Sequence, residues 1–226
     1  MKKSLTILIL SLVSATCLLQ AQSISAADSA VFNKLLASNQ KYHSLKTIFR
    51  HELIKKNTSQ MRFGTLYYKQ VSPNKKGDIE ALISMLYDTP KGEYYIINKT
   101  NLYNGIDGHK LNFSYRFVPL MKLLGNAVAW AMNGDIYSIC SNLQTDYTLT
   151  SDANHHIVAL SVKKGKNKGI TRMLMKYSKK TGLIEYLEIE EKLGITHKYS
   201  MGLDNKGTFH QPQINATINA SVFTLN

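Results

Sequence analysis

From Leu45 to Met201 the chain is built almost entirely of short runs of β-branched and aromatic residues separated by turn residues. The pattern breaks once, at Pro119, where a nearly continuous apolar stretch runs on to Met132. Alternation of this kind predicts strands over Leu45–Ile54, Met61–Gln70, Ile79–Asp88, Glu93–Asn98, Leu102–Ile106 and His109–Phe113. A second set is predicted over Thr145–Thr150, His156–Lys163, Gly169–Ser178, Leu183–Lys192 and Ile195–Met201. Asn98-Lys99-Thr100-Asn101, Asp107-Gly108, Lys179-Lys180-Thr181-Gly182 and Leu193-Gly194 supply tight connections, so the strands follow one another as antiparallel meanders. Helices are expected at the front, from a cap at Asp28 or Ser29 to about His43, over Leu120–Met132, and in a short piece around Cys140. In the middle helix the only strongly polar residues are Lys122 and Asn126, four apart and so on one narrow stripe. No heptad, repeat or low-complexity linker divides the chain, which points to one α+β domain with a long curved antiparallel sheet.

The strand faces limit what such a sheet is for. Phe63, Thr65 and Tyr67 share one face of their strand and Leu66 and Tyr68 the other, while Met173, Met175 and Tyr177 oppose Ile170 and Leu174. A sheet apolar on both sides is either covered on both sides, one helix to each face, or holds a ligand. The methionines suit an adaptable lining and suit an ordinary core equally.

At the N-terminus, Lys2-Lys3 followed by the apolar run Leu5–Leu19 reads as a signal peptide over residues 1–27, cleaved after Ala21 or Ala27, with one mature domain over 28–226. The run is short for a membrane span. Ser14-Ala15-Thr16 before Cys17 makes a poor lipidation signal. Export to a periplasm is therefore expected. Of two cysteines only Cys140 would remain, leaving no internal disulfide and a core that must stabilise the fold alone. The chain has a net charge of +13. For an exported protein with no groove-reading helix this disfavours nucleic acid as a partner and suits acidic protein surfaces or anionic lipid headgroups, unless the lysines serve only solubility.

Catalytic and metal chemistry find little support in the residue pattern. No two histidines with a nearby acid have ligand spacing, and His155-His156, adjacent at a turn, would point to opposite faces. There is no nucleophile elbow, and Cys140 reads as a small buried apolar residue. Glu185, Glu188, Glu190 and Glu191 lie in one strand run, and its alternate members form a solvated face rather than an acid–base dyad. The expectation is a non-enzyme with no metal, cofactor or catalytic residue.

Several segments together resemble the periplasmic outer-membrane lipoprotein carriers, the LolA-like proteins. Tyr42-His43-Ser44-Leu45-Lys46-Thr47-Ile48 is similar to their first helix-to-strand junction, and Phe63-Gly64-Thr65-Leu66-Tyr67-Tyr68-Lys69 to the strand that follows. Ile96–Tyr103 is similar to their central hairpin, Lys179–Ile184 to a late turn and Asn215–Leu225 to the closing segment. The resemblance covers almost all of the mature chain. It implies an incomplete β-barrel lidded by helices, whose apolar hollow carries lipoprotein acyl chains between membranes. Cavity and lid would then draw on Leu66, Tyr68, Met85, Leu120, Leu123, Leu124, Val128, Trp130, Met173 and Met175, with the Leu120–Met132 helix as a movable lid. Implied partners are acylated lipoproteins, an inner-membrane lipoprotein-releasing transporter and an outer-membrane acceptor, served by a monomer. An arginine-proline pair of the family is replaced here by Gln70-Val71, so Gln70 occupies the lid-latch position, and Tyr103 replaces a tryptophan. The same half-barrel would also serve a lipid-responsive envelope sensor.

Overall fold

A computed structural model of the chain describes residues 24–56, 58–72, 78–163, 165 and 169–225. The expected signal peptide up to residue 23 lies outside the described residues, as do residues 73–77, 164 and 166–168. Helix α1 spans Ala26–Asn39 and opens ahead of the expected boundary at residue 28, because the cap is Ser25: its hydroxyl accepts from the Asp28 amide at 3.1 Å. Asp28 itself sits in the first turn, where a carboxylate favours the helix dipole. The helix stops at Asn39 rather than His43, whose amide instead donates to Asn215 Oδ1 at 2.9 Å.

The strands are β1 (Ser44–Lys55), β2 (Thr58–Gln70), β3 (Ala81–Thr89), β4 (Tyr94–Ile97), β5 (Asn101–Asn104), β6 (Leu111–Ser114), β7 (Thr145–Ser151), β8 (His155–Val162), β9 (Ile170–Ser178), β10 (Ile184–Glu191), β11 (Ile195–Met201) and β12 (Gln213–Ile214). Helices α2 (Pro119–Asn133) and α3 (Ile136–Leu143) separate β6 from β7. All pairings are antiparallel, in the order β6-β5-β4-β3-β2-β1-β11-β10-β9-β8-β7, and β12 adds to β1. The two meanders therefore join through β1 and β11, with Phe49 opposite Met201, and β6 and β7 are left as edges. The sheet does not close.

Its curvature follows from α2, which touches both β5 and β10. Those strands stand six places apart in the sheet, roughly 29 Å if it were flat, against a helix diameter of about 11 Å. The sheet must curl around the helix, and the result is an α+β incomplete barrel with its helices on the concave side. In β2 the buried members are Arg62, Gly64, Leu66 and Tyr68, whereas Phe63, Thr65 and Tyr67 are half-exposed. One face is thus packed and the other open to solvent, rather than both being covered. Ile170 corrects a second expectation. An irregularity in β9 pairs it with Glu191 while Arg172 pairs with Glu190, and that extra residue brings Ile170 onto the inner face with Met173, Met175 and Tyr177.

Candidate functional site

Helix α2 fills the half-barrel unevenly. Pro119 starts it and Gly134, at φ +66°, ends it in the left-handed conformation. In its C-terminal half every residue from Ala127 to Met132 is buried, and the Tyr177 hydroxyl donates to the Ala131 carbonyl at 2.8 Å. Small residues at 127, 129 and 131 allow the sheet and α3 to approach closely, and Ile136, Ile139 and Leu143 of α3 complete a dry core there. The polar stripe is an anchor rather than a solvent face. Asn126 is buried, with its amide donating to the Asp78 carbonyl and its oxygen accepting from the Glu80 amide, and Lys122 donates to Asp78 Oδ1 at 2.8 Å.

Beneath the N-terminal half the filling stops. A cavity of about 320 Å³ lies between Met121, Leu124 and Val128 of α2 and the concave sheet. Its walls come from both meanders: Met85, Tyr95, Leu102, Leu111 and Phe113 on one side, and Ile170, Ile189, Glu191, His197 and Tyr199 on the other. The lining is mostly aliphatic and aromatic, and the volume falls at the low end of small-molecule sites.

Of the residues expected to form cavity and lid, Met85, Leu124 and Val128 line this space. Leu66, Trp130, Met173 and Met175 do not; they are core residues, each at most 3% exposed. Leu123 packs half-buried against that core, and the Leu120 side chain lies outside what is described. Tyr68 donates to Asn133 Oδ1, which also accepts from Gln70 Nε2 at 3.0 Å. Lys69 points to the opposite, exposed face. Gln70 thus does touch α2, but about three turns away from Met121 and on the helix half that is already packed.

The cavity also has a polar wall, which spacing rules for histidine pairs did not anticipate. Tyr87 Oη lies 2.9 Å from His51 Nδ1, His51 Nε2 lies 3.2 Å from His197 Nδ1, and His197 Nε2 lies 3.2 Å from Glu191 Oε1. The rings of His51 and Tyr199 stack with centroids 4.3 Å apart, and the near-parallel ring of His197 lies 5.3 Å from His51 and 6.2 Å from Tyr199. Burial, helped by the nearness of His197 and Arg62, pushes His51 well below the ordinary imidazole value. Burial also raises the phenols of Tyr87, Tyr95 and Tyr199, so all three stay protonated.

Arg62 sits beside this stack with its side chain 2% exposed. It donates to Glu93 at 2.7 Å and to Asp107, which Lys55 also reaches. The Lys55 hydrogen bond, ahead of the charge of Arg62, holds the Asp107 carboxyl below its ordinary value despite partial burial. Strand parity could have found these groups: His51 alternates with Phe49 and Leu53, Arg62 with Gly64 and Leu66, and Glu191 with Ile189 and Leu187. Elsewhere Cys140 is half-buried, and burial pushes its thiol up. Glu188 and Glu190 lie on the outer face of β10 as expected, opposite Lys198 and Arg172. Among the described residues, no helix is long and apolar enough to cross a membrane.

No family model matches the chain, and no curated protein matches it. Solved structures do. The chain is similar to a DUF1329 family protein from Desulfovibrio piger at 14% identity, covering 87% of this chain and 96% of that one with a TM-score of 0.43. It is similar to the MucA/MucB complex structure from Pseudomonas aeruginosa at 11% identity, covering 89% and 62%, TM-score 0.44. It is also similar to a LolA superfamily protein from Nitrosomonas europaea at 10% identity, covering 85% and 97%, TM-score 0.36. At TM-scores below 0.5 these likenesses carry no part of the argument; the incomplete barrel rests on its own strand order and register.

Proposed function

We propose that this chain is an exported, non-enzymatic lipid-binding protein of the periplasm, which shields acyl chains of lipoproteins in its cavity during passage from inner to outer membrane. It would load from an inner-membrane lipoprotein-releasing transporter and unload to an outer-membrane acceptor, acting as a monomer. The observation that supports this reading is the apolar cavity of about 320 Å³ held open between α2 and the concave sheet. Each methylene moved from water into such a space gains about 0.8 kcal/mol. Transit of an acyl chain through water calls for a container of this kind. The net charge of +13 suits approach to anionic headgroups.

The size of the cavity also favours a second reading, a lipid-responsive sensor that takes a single chain. About 320 Å³ is small for several acyl chains together, and α2 is tied to the rest of the fold through Lys122, Asn126 and Ala131. One assay separates these readings from an empty fold. A fluorescent acyl probe should bind the purified protein, and Val128→Trp, which fills the cavity from α2, should weaken binding about tenfold or more while leaving the fold intact. Unchanged affinity in that variant would show that acyl chains do not use this space. Native mass spectrometry of protein isolated from its own cell envelope then distinguishes a carrier, which retains a lipoprotein adduct, from a sensor, which retains free lipid.

A further inference from the structure

An apolar cavity explains why a hydrocarbon chain binds, but it does not explain why one wall carries His197 and Glu191, with His51 buried behind them. Resting on the acyl-binding reading of this cavity, we propose that the His51–His197–Glu191 wall is a headgroup site selective for amphiphiles whose head donates a hydrogen bond, a hydroxyl or an amine, over amphiphiles with a carboxylate head.

The direction of the hydrogen bonds carries the inference. Tyr87 keeps its proton and donates to His51 Nδ1, so the neutral His51 ring bears its hydrogen on Nε2. That N–H donates to His197 Nδ1, which fixes the hydrogen of the second ring on Nε2, aimed at Glu191 Oε1. Every donor in the chain points one way, toward the carboxylate. The chain therefore ends on the Glu191 carboxylate at the cavity wall, oriented by a buried relay. It offers a ligand an acceptor.

Local charge points the same way. Beside the stack, the cations Arg62 and Lys55 are matched by the anions Glu93 and Asp107. Among the described residues lining the cavity there is no lysine or arginine, and Glu191 is its one carboxylate, with a side chain 41% exposed. Tyr95 and Tyr199 flank it, both protonated. A carboxylate head placed here would meet the Glu191 carboxylate with no lysine or arginine among the described lining residues to offset it, whereas an ammonium or hydroxyl would complete its coordination. The field of the whole protein, at +13, opposes this preference, so a measured selectivity for amines can only come from the site itself.

The test is displacement of the fluorescent acyl probe at neutral pH by dodecylamine, dodecanol and dodecanoate, which share one tail. Dodecylamine and dodecanol are expected to displace at concentrations at least about tenfold lower than dodecanoate. Glu191→Gln, isosteric and partly exposed, should bring amine and carboxylate to within about threefold of each other. His197→Gln, which removes the ring that orients the carboxylate, should narrow the same gap and serves if the first variant does not fold. Equal displacement by all three in the wild-type protein, or tightest binding of dodecanoate, would overturn the headgroup site and leave the acyl cavity standing. If neither the probe nor any tail binds, the cavity reading fails and the headgroup site fails with it.

Discussion

The two halves of α2 face the same sheet and create opposite environments. Toward the C-terminus, Ala127, Ala129 and Ala131 bring backbone close to backbone, and Trp130, Tyr177 and Ile139 fill the remaining space. Toward the N-terminus, Met121 and Leu124, with Val128 at the junction of the two halves, stand over a void whose walls include Glu191 and His197. The first arrangement gains its stability from packing density, close enough that the Trp130 indole N–H is buried with no hydrogen-bond partner among the described residues. The second gives up packing and relies on ion pairs and stacked rings to keep its walls in place. A binding space inside a half-barrel thus depends on the polar residues that hold it open as much as on the apolar ones that line it.

Three measurements break or sharpen that contrast, beginning with the largest effect. Arg62→Ala leaves Glu93 and Asp107 without their buried partner, and removing one member of a buried pair costs about 3–5 kcal/mol. Urea unfolding should show a loss of that size, and a loss under about 1 kcal/mol would mean that the network does not support the sheet beside the cavity.

Matched truncations at the two ends come next. Ile139→Ala in the dry core should cost about 2–5 kcal/mol, because it opens a new void among buried neighbours. Leu124→Ala only enlarges a void already present, so about 1 kcal/mol is expected from the lost burial. Equal losses in unfolding midpoints would contradict the division of α2 into a packed half and a covering half.

The smallest effect is a dependence on pH. The folded protein keeps His51 unprotonated, held down by burial first and then by His197 and Arg62, whereas the unfolded chain takes up that proton near the ordinary value of about 6.5. Below that pH the unfolded state binds more protons, so stability is complete above about pH 6.5 and declines as the pH falls, by at most about 1.4 kcal/mol per pH unit. His156, also lowered by burial and by Lys179 and Lys34, adds a contribution of the same sign. The difference between wild-type and His51→Gln curves therefore isolates His51. Parallel curves would place His51 outside this linkage.

Much of the fold was legible because strands with one packed face announce themselves by alternation. The predicted strand limits from Leu45 to Met201 agree with those observed to within three residues, the largest difference being β2, which begins at Thr58 rather than Met61, and the break at Pro119 marked α2. The site was far less legible. Leu66, Met173 and Met175 have the same apolar character as Met85 and Val128, and only the point at which α2 ceases to fill the barrel decides which of them meet empty space. Ile170 reached the inner face through a β9 irregularity that no alternation rule contains. The polar wall went unseen because its histidines come from β1 and β11, distant in sequence, and become neighbours only across the sheet. Strand β12 is two residues long and leaves no pattern to read.

The pairing of β1 with β11 also sets an order of events. Phe49 and Met201 are about 150 residues apart in the chain. Closing a loop of that length costs about 4 kcal/mol of chain entropy, which the local hairpins of each meander do not have to meet. The meanders β1–β6 and β7–β11 consist of near-neighbour contacts that form quickly, while the seam between them waits for both. Since the cavity takes walls from each meander, it comes into being only when the seam closes. Any ligand that occupies it holds the seam together by mass action, so the occupied protein is also the one slower to come apart.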